Sequence, residues 1–205
     1  MTVIASLRRF IFLLTLCLFT PSYAKVFDLV ILGDSISSGY GVNPKESWVE
    51  LTTSQLGCKI KYLNLSTQGA TSADGLTTLS DFYKTHQAKT VIIELGGNDA
   101  LRGQSLTQLY KNLSTLLVTA SDNKTRALLV GVDMPPNYGT FFRQRLKSTY
   151  EHAAASNSVS SVYLDFPNNP QLMQEDGVHP NALGHQKIAQ TLIPELSALI
   201  CNLTP

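Results

Sequence analysis

Four short segments of this chain carry residue types suited to attack on a carbonyl carbon. The first is Gly33-Asp34-Ser35-Ile36-Ser37, which follows an apolar run. A serine hydroxyl is a weak nucleophile until a base accepts its proton, and it must stand exposed. A sharp exit from a strand gives that exposure, and Gly33 relaxes the backbone there. The same residues also suit a plain turn or helix cap. Gly39 and Gly41 follow, but no Gly-Lys-Ser/Thr or Gly-x-Gly-x-x-Gly element accompanies them, so a phosphate-binding loop lacks its pattern.

The second segment is Asp176-Gly177-Val178-His179-Pro180. Asp176 and His179 stand three apart across a turn that Gly177 permits. A carboxylate at that spacing can reach one imidazole nitrogen and fix the tautomer, which leaves the other nitrogen to face a serine. Pro180 suits the first turn of a following helix. The plainer reading is a surface acid beside a helix-capping histidine. The remaining histidines lack such a setting: His86 and His152 fall on predicted helix faces, and His185 follows Gly184 inside the last helix. No two histidines have metal-ligand spacing, so a metal site is not expected.

The third segment, Glu94-Leu95-Gly96-Gly97-Asn98-Asp99, ends another apolar run. Its glycines permit close backbone approach, and Asn98 can aim an amide N–H at a developing oxyanion. Loss of one such donor commonly costs about 2.7–4 kcal/mol in the transition state. An Asn-Asp turn is the competing reading. The fourth, Ser66 to Thr71, offers the N–H of Gly69 without a Cβ in the way. Glycine after a strand is ordinary, so this segment says nothing by itself.

These segments need a scaffold that brings them together. Strands are expected over 26–32, 59–65, 90–95, 126–132 and 159–166, and helices over 45–56, 73–86, 106–120, 138–156 and 181–200. Pro194 is expected to bend or interrupt the last helix. Five β-rich runs alternating with helices imply one α/β domain, a parallel sheet covered on both faces. In such a sheet ligands bind at the carboxyl ends of the strands, where the strand-to-helix junctions converge.

The conjunction of serine after strand one, glycine after strand two, asparagine after strand three and Asp-x-x-His before the last helix resembles the SGNH (GDSL) hydrolase superfamily. Within it, the chain is similar to the bacterial acyl-CoA thioesterase/lysophospholipase/arylesterase group. The likeness runs from about Val26 to the last helix through Ile31 to Ser37, Glu94 to Gly103, Met134 to Gly139 and Asp176 to Asn181. One departure stands out: relatives often read Gly-Asp-Thr-Ser in the second block, where this chain has Gly69-Ala70-Thr71-Ser72. The resemblance implies a three-layer α/β/α, flavodoxin-like sandwich with sheet order 2-1-3-4-5. It implies cofactor-free hydrolysis of esters or thioesters by Ser35, His179 and Asp176. The Ser35 and Gly69 amides and the Asn98 side chain would form the oxyanion hole. Met134, Pro135 and Tyr138, with Pro136, Phe141 and Phe142 nearby, could line an acyl groove, although core packing is the plainer reading for at least half of these six. A carbohydrate O-acetylesterase or a non-catalytic lipid- or glycan-binding module are the rivals.

Composition narrows the partners. The 205 residues carry 16 Lys and Arg against 15 Asp and Glu, for a net charge of +1. No basic run marks a nucleic-acid partner, and the expected partner is a small acyl ester or thioester, lysophospholipids included. Arg8 and Arg9 precede an apolar run over 10–19, and Ser22-Tyr23-Ala24 offers small residues at the two positions a signal peptidase reads. A cleaved signal peptide over 1–24, a domain over 25–205, a periplasmic or secreted address, no membrane span after cleavage and a monomer are therefore expected. An exported address permits a disulfide between Cys58 and Cys201, with two separate buried thiols as the alternative.

Overall fold

The computed structural model describes residues 24–201. The expected signal peptide falls almost wholly outside them. Five strands form one parallel sheet: β1 (Lys25–Gly33), β2 (Tyr62–Asn64), β3 (His86–Glu94), β4 (Arg126–Val132) and β5 (Ser160–Leu164). The order is β2-β1-β3-β4-β5. The helices are α1 (Ser35–Ser38), α2 (Trp48–Gln55), α3 (Ser72–Thr85), α4 (Gly97–Leu101), α5 (Leu106–Asp122), α6 (Thr140–Ser156) and α7 (Ala182–Leu196).

Alternation along the central strands builds two cores. Val30, Leu32, Val91, Ile93 and Leu129 pack with Leu79, Leu113, Leu116 and Tyr150 from α3, α5 and α6. Leu29, Ile31, Ile92, Leu128 and Val130 pack on the other face with Trp48, Ile188 and Leu192 from α2 and α7. Both faces of β1, β3 and β4 are thus dry, which is why these segments read as continuous apolar runs. Cys58, after α2, is bridged to Cys201, after α7. This decides between the two readings left open for the cysteines and ties the ends of both helices on one face.

Several boundaries differ from expectation, each for a local reason. The 45–56 helix is broken at Ser47, whose backbone is extended and whose side chain caps α2 by accepting from Glu50 N–H; a separate 3-10 turn spans Pro44–Glu46. α3 begins at Ser72 because Thr71 and Asp74 form a reciprocal capping box. His86 is not on a helix: it opens β3, whose first residues pair with Lys25 to Phe27 of β1. Pro180 lies outside α7, because the side chain of Asn181 caps the helix by accepting from Gly184 N–H. Pro194 does not end that helix, which continues to Leu196 before a wider turn over Ser197–Cys201. The edge strands are shorter than expected, β2 being three residues and β5 five. Among the described residues, no helix is long and apolar enough to cross a membrane.

Candidate active site

The carboxyl ends of the strands carry the four segments. β1 ends at Gly33, and the chain turns at once into α1. Asp34 caps this helix, its Oδ1 accepting from Ile36 N–H at 2.9 Å. Ser35 opens the helix, half-buried. Beneath the turn, Ser37 Oγ donates to Glu94 Oε2 at 2.6 Å across the β1–β3 pair. Burial and the charge of Asp34 push the Glu94 carboxyl well above the usual carboxylate range.

Ahead of α7, Asp176 and His179 form a closed turn. Asp176 Oδ1 accepts from Val178 N–H at 2.9 Å and His179 N–H at 3.0 Å. Its Oδ2 lies 2.7 Å from His179 Nδ1. Burial acts to raise the Asp176 carboxyl, but these donors outweigh it and hold the group below its ordinary value. An ionised carboxylate can only accept, so Nδ1 carries a ring proton, and in the neutral imidazole Nε2 is then the acceptor. His179 Nε2 stands 2.9 Å from Ser35 Oγ, across 144 residues of sequence. The Tyr40 ring lies against the imidazole, centroids 4.6 Å apart.

The structure also gathers the two other junctions here. Gly69 sits at φ +74°, a left-handed conformation that favours glycine, in the turn after β2. Asn98 lies in α4, which starts behind the left-handed Gly96. Asp34, Ser35, Gly69, Asn98 and His179 line one cavity of about 270 Å³. Among the described residues, no protein acceptor takes the backbone N–H of Ser35 or Gly69.

Residues 31–187 match the model of the GDSL-like lipase/acylhydrolase family. The chain belongs to this family.

Two curated relatives agree with the match. The chain is 34% identical over 183 residues to esterase TesA of Pseudomonas aeruginosa, covering 86% of this chain and 91% of that one. It is 34% identical over 194 residues to thioesterase 1/protease 1/lysophospholipase L1 of Escherichia coli, covering 91% of each. A solved structure of a protein also called TesA superposes with a TM-score of 0.80 at 32% identity, covering 85% of this chain and 99% of that one. The class of chemistry is carboxylic ester hydrolysis.

The residues expected to line an acyl groove divide within this GDSL site. Met134 and Pro135 border the cavity with Ser35 and His179. Tyr138 and Pro136 instead line an adjoining groove of about 510 Å³, which meets the first cavity at Leu101, Pro135 and Val178. Phe142 packs on the core, whereas Phe141 is 74% exposed. Asp133 anchors this wall: its carboxylate takes bonds from Arg143, Tyr163, Asn168 and the Met134 amide.

Sequence reasoning missed the residues that hold the site together. Asp34 Oδ2 accepts from Asn98 Nδ2 at 2.9 Å. Arg102 Nη2 donates to the Gly69 carbonyl at 2.8 Å. Asp99 Oδ1 and Oδ2 accept from the Ser72 hydroxyl and amide, 2.5 and 2.8 Å away. Gln174 Nε2 donates to the carbonyls of Tyr40 and Pro180, each at 2.9 Å. Asp34, Asp99 and Arg102 stand within the quoted motifs, but nothing in their spacing names their partners.

Proposed function

We propose that this family member cleaves carboxylic esters and thioesters through a Ser35–His179–Asp176 triad. The carrying observation is the 2.9 Å approach of His179 Nε2 to Ser35 Oγ, backed by the 2.7 Å contact between His179 Nδ1 and Asp176. Ser35 Oγ attacks the acyl carbon as its proton passes to Nε2. Asp176 stabilises the imidazolium that forms. The carbonyl electron pair moves to oxygen, which takes hydrogen bonds from the Ser35 and Gly69 amides and Asn98 Nδ2. Collapse of the tetrahedral intermediate breaks the acyl–oxygen or acyl–sulfur bond, and the imidazolium protonates the leaving alcohol or thiol. Water, deprotonated by the same Nε2, then attacks the acyl-serine; the bond to Ser35 Oγ breaks, the imidazolium returns the proton to that oxygen, and the acid is released.

The cavity reads little beyond the acyl group, and its neighbour sets prolines, Tyr138 and Met173 beside the polar Asn137, Asn168 and Gln174 and the acids Glu175 and Asp176. This supports broad use of short to medium acyl chains, with aryl esters, acyl thioesters and lysophospholipids as substrates. Removal of residues 1–24 would deliver a monomeric enzyme outside the cytosol, where lipid esters are more accessible than acyl-CoA.

A panel of p-nitrophenyl esters, acyl thioesters, lysophospholipids and acetylated glycans tests the reading. Turnover of the first three classes, lost in Ser35→Ala with the fold retained, is expected. Turnover of acetylated glycans alone would replace it with a deacetylase.

A further inference from the structure

Asn98 is more constrained than a free oxyanion donor would be. Its Nδ2 donates to Asp34 Oδ2 at 2.9 Å and to the Ala70 carbonyl at 3.1 Å. A carboxamide nitrogen carries two hydrogens, and both are aimed at protein acceptors. The Ala70 carbonyl cannot donate, so the nitrogen, not the oxygen, must occupy this position. Asp34 is 2% exposed, and its other oxygen caps α1 by accepting from Ile36 N–H. One buried carboxylate thus joins the helix that begins with Ser35 to the side chain 64 residues away that faces the same cavity.

Resting on the proposed triad and oxyanion hole, we propose that Asp34 is the positioning residue of the Asn98 donor, holding its amide plane against the Ala70 carbonyl so that substrate oxygen is received by sharing a hydrogen already aimed by Asp34. The hold has a geometric consequence. With two fixed acceptors, the Asn98 side chain has its rotamer and plane set before substrate arrives, and donors that need no reorganisation are the ones that lower a barrier. It also has an electrostatic consequence. An ionised acceptor competes strongly for the shared hydrogen, whereas a neutral carboxyl competes weakly. Burial pushes the Asp34 carboxyl up to about 6, against the opposing pull of the Ile36 amide, His179 and Asn98. The hold is therefore firm yet close to the point at which it weakens. Because Asp34 acts on Asn98, its effect belongs in kcat and vanishes when Asn98 is gone.

A double-mutant cycle tests this on the whole enzyme with a p-nitrophenyl ester. Asp34→Ser is the informative variant: serine can still cap the Ile36 amide but is too short to reach Asn98. Asn98→Ala should lower kcat about 10²-fold. Asp34→Ser should lower kcat about tenfold with KM within about threefold. The double variant should match Asn98→Ala within about threefold, because linked residues are non-additive. Wild-type kcat in Asp34→Ser, or a double variant a further tenfold below Asn98→Ala, would overturn the assignment. Wild-type kcat in Asn98→Ala would instead remove the oxyanion role itself and this proposal with it. If Asp34→Ser does not fold by circular dichroism, the same cycle is run with Asp34→Thr, which also caps.

Discussion

Arg102, just beyond α4, holds the carbonyl of Gly69 from 33 residues away, at 2.8 Å. The same turn is held by Ala70 N–H to Thr67 O and Thr67 N–H to Gly33 O, and its Ala70 carbonyl accepts from Asn98 Nδ2. The guanidinium adds a fixed partner to the carbonyl of a residue that lines the cavity. Arg102→Ala should lower kcat about three- to tenfold with little change in KM, as read by steady-state ester hydrolysis. The effect is modest because Arg102 is exposed and water competes for the carbonyl. An unchanged kcat would mean that the turn holds itself.

Gln174 joins the two chain segments that carry Ser35 and His179. Its side-chain amide bonds the Tyr40 and Pro180 carbonyls, and its backbone N–H bonds the His179 carbonyl at 2.8 Å. Gln174→Ala removes one exposed and one half-buried bond, worth about 1–2 kcal/mol together. Thermal unfolding should shift down by about 3–6 °C, and kcat should fall severalfold as the tilted Tyr40–His179 ring contact loosens. A lower Tm with full turnover would confine Gln174 to stability.

The Cys58–Cys201 bridge stands at the opposite pole from the site, where β2 begins and α7 has ended. It closes a loop with a sequence separation of 143 residues. Loss of such a bridge costs about 2–5 kcal/mol. The Cys58→Ala/Cys201→Ala variant should unfold at lower urea while keeping wild-type kcat when folded at 25 °C. A selective loss of kcat would tie the bridge to the site.

Two site carboxylates pull stability in opposite directions with pH. Asp34, raised from 3.8 to about 6 mainly by burial, binds its proton more tightly folded than unfolded. Its contribution is fully present below about pH 4 and is lost as pH rises through 6. Asp176, held below its ordinary value, contributes stability above the carboxylate range and loses it as pH falls through the lowered value. Urea unfolding at pH 4 and 7 should show wild type losing stability relative to Asp34→Ser on going to pH 7. A pH-independent difference would contradict the burial cost assigned to Asp34.

Periodicity exposed the scaffold because both sheet faces are dry: Leu29 to Leu32 and Val91 to Ile93 are apolar whichever way they point. The edges were harder to read. β2 keeps three residues because it has one neighbour, and the start of β3 alternates, so His86 reads as the tail of a helix and 87–89 as a connection. The pairing of Ser35 with His179 was legible because each residue type needs the other. The partnerships of Asp34, Arg102 and Gln174 were not. A carboxylate, a guanidinium and an amide suit any turn, and only the crossing of β1, β2 and β3 at one pole selects Asn98, Gly69 and Tyr40 for them. Tyr138 shows the converse, since its neighbours in sequence suggested the Ser35 cavity while the 3-10 turn over Pro136–Tyr138 directs it to the next groove.

A serine-directed fluorophosphonate tests the account where it is most exposed. Incubation followed by intact mass and peptide mapping should show one adduct, on Ser35, formed rapidly in wild type and at least about 10³-fold more slowly in His179→Ala. An adduct on another serine, or undiminished labelling of Ser35 without the imidazole, would contradict a hydroxyl activated by its neighbour 2.9 Å away.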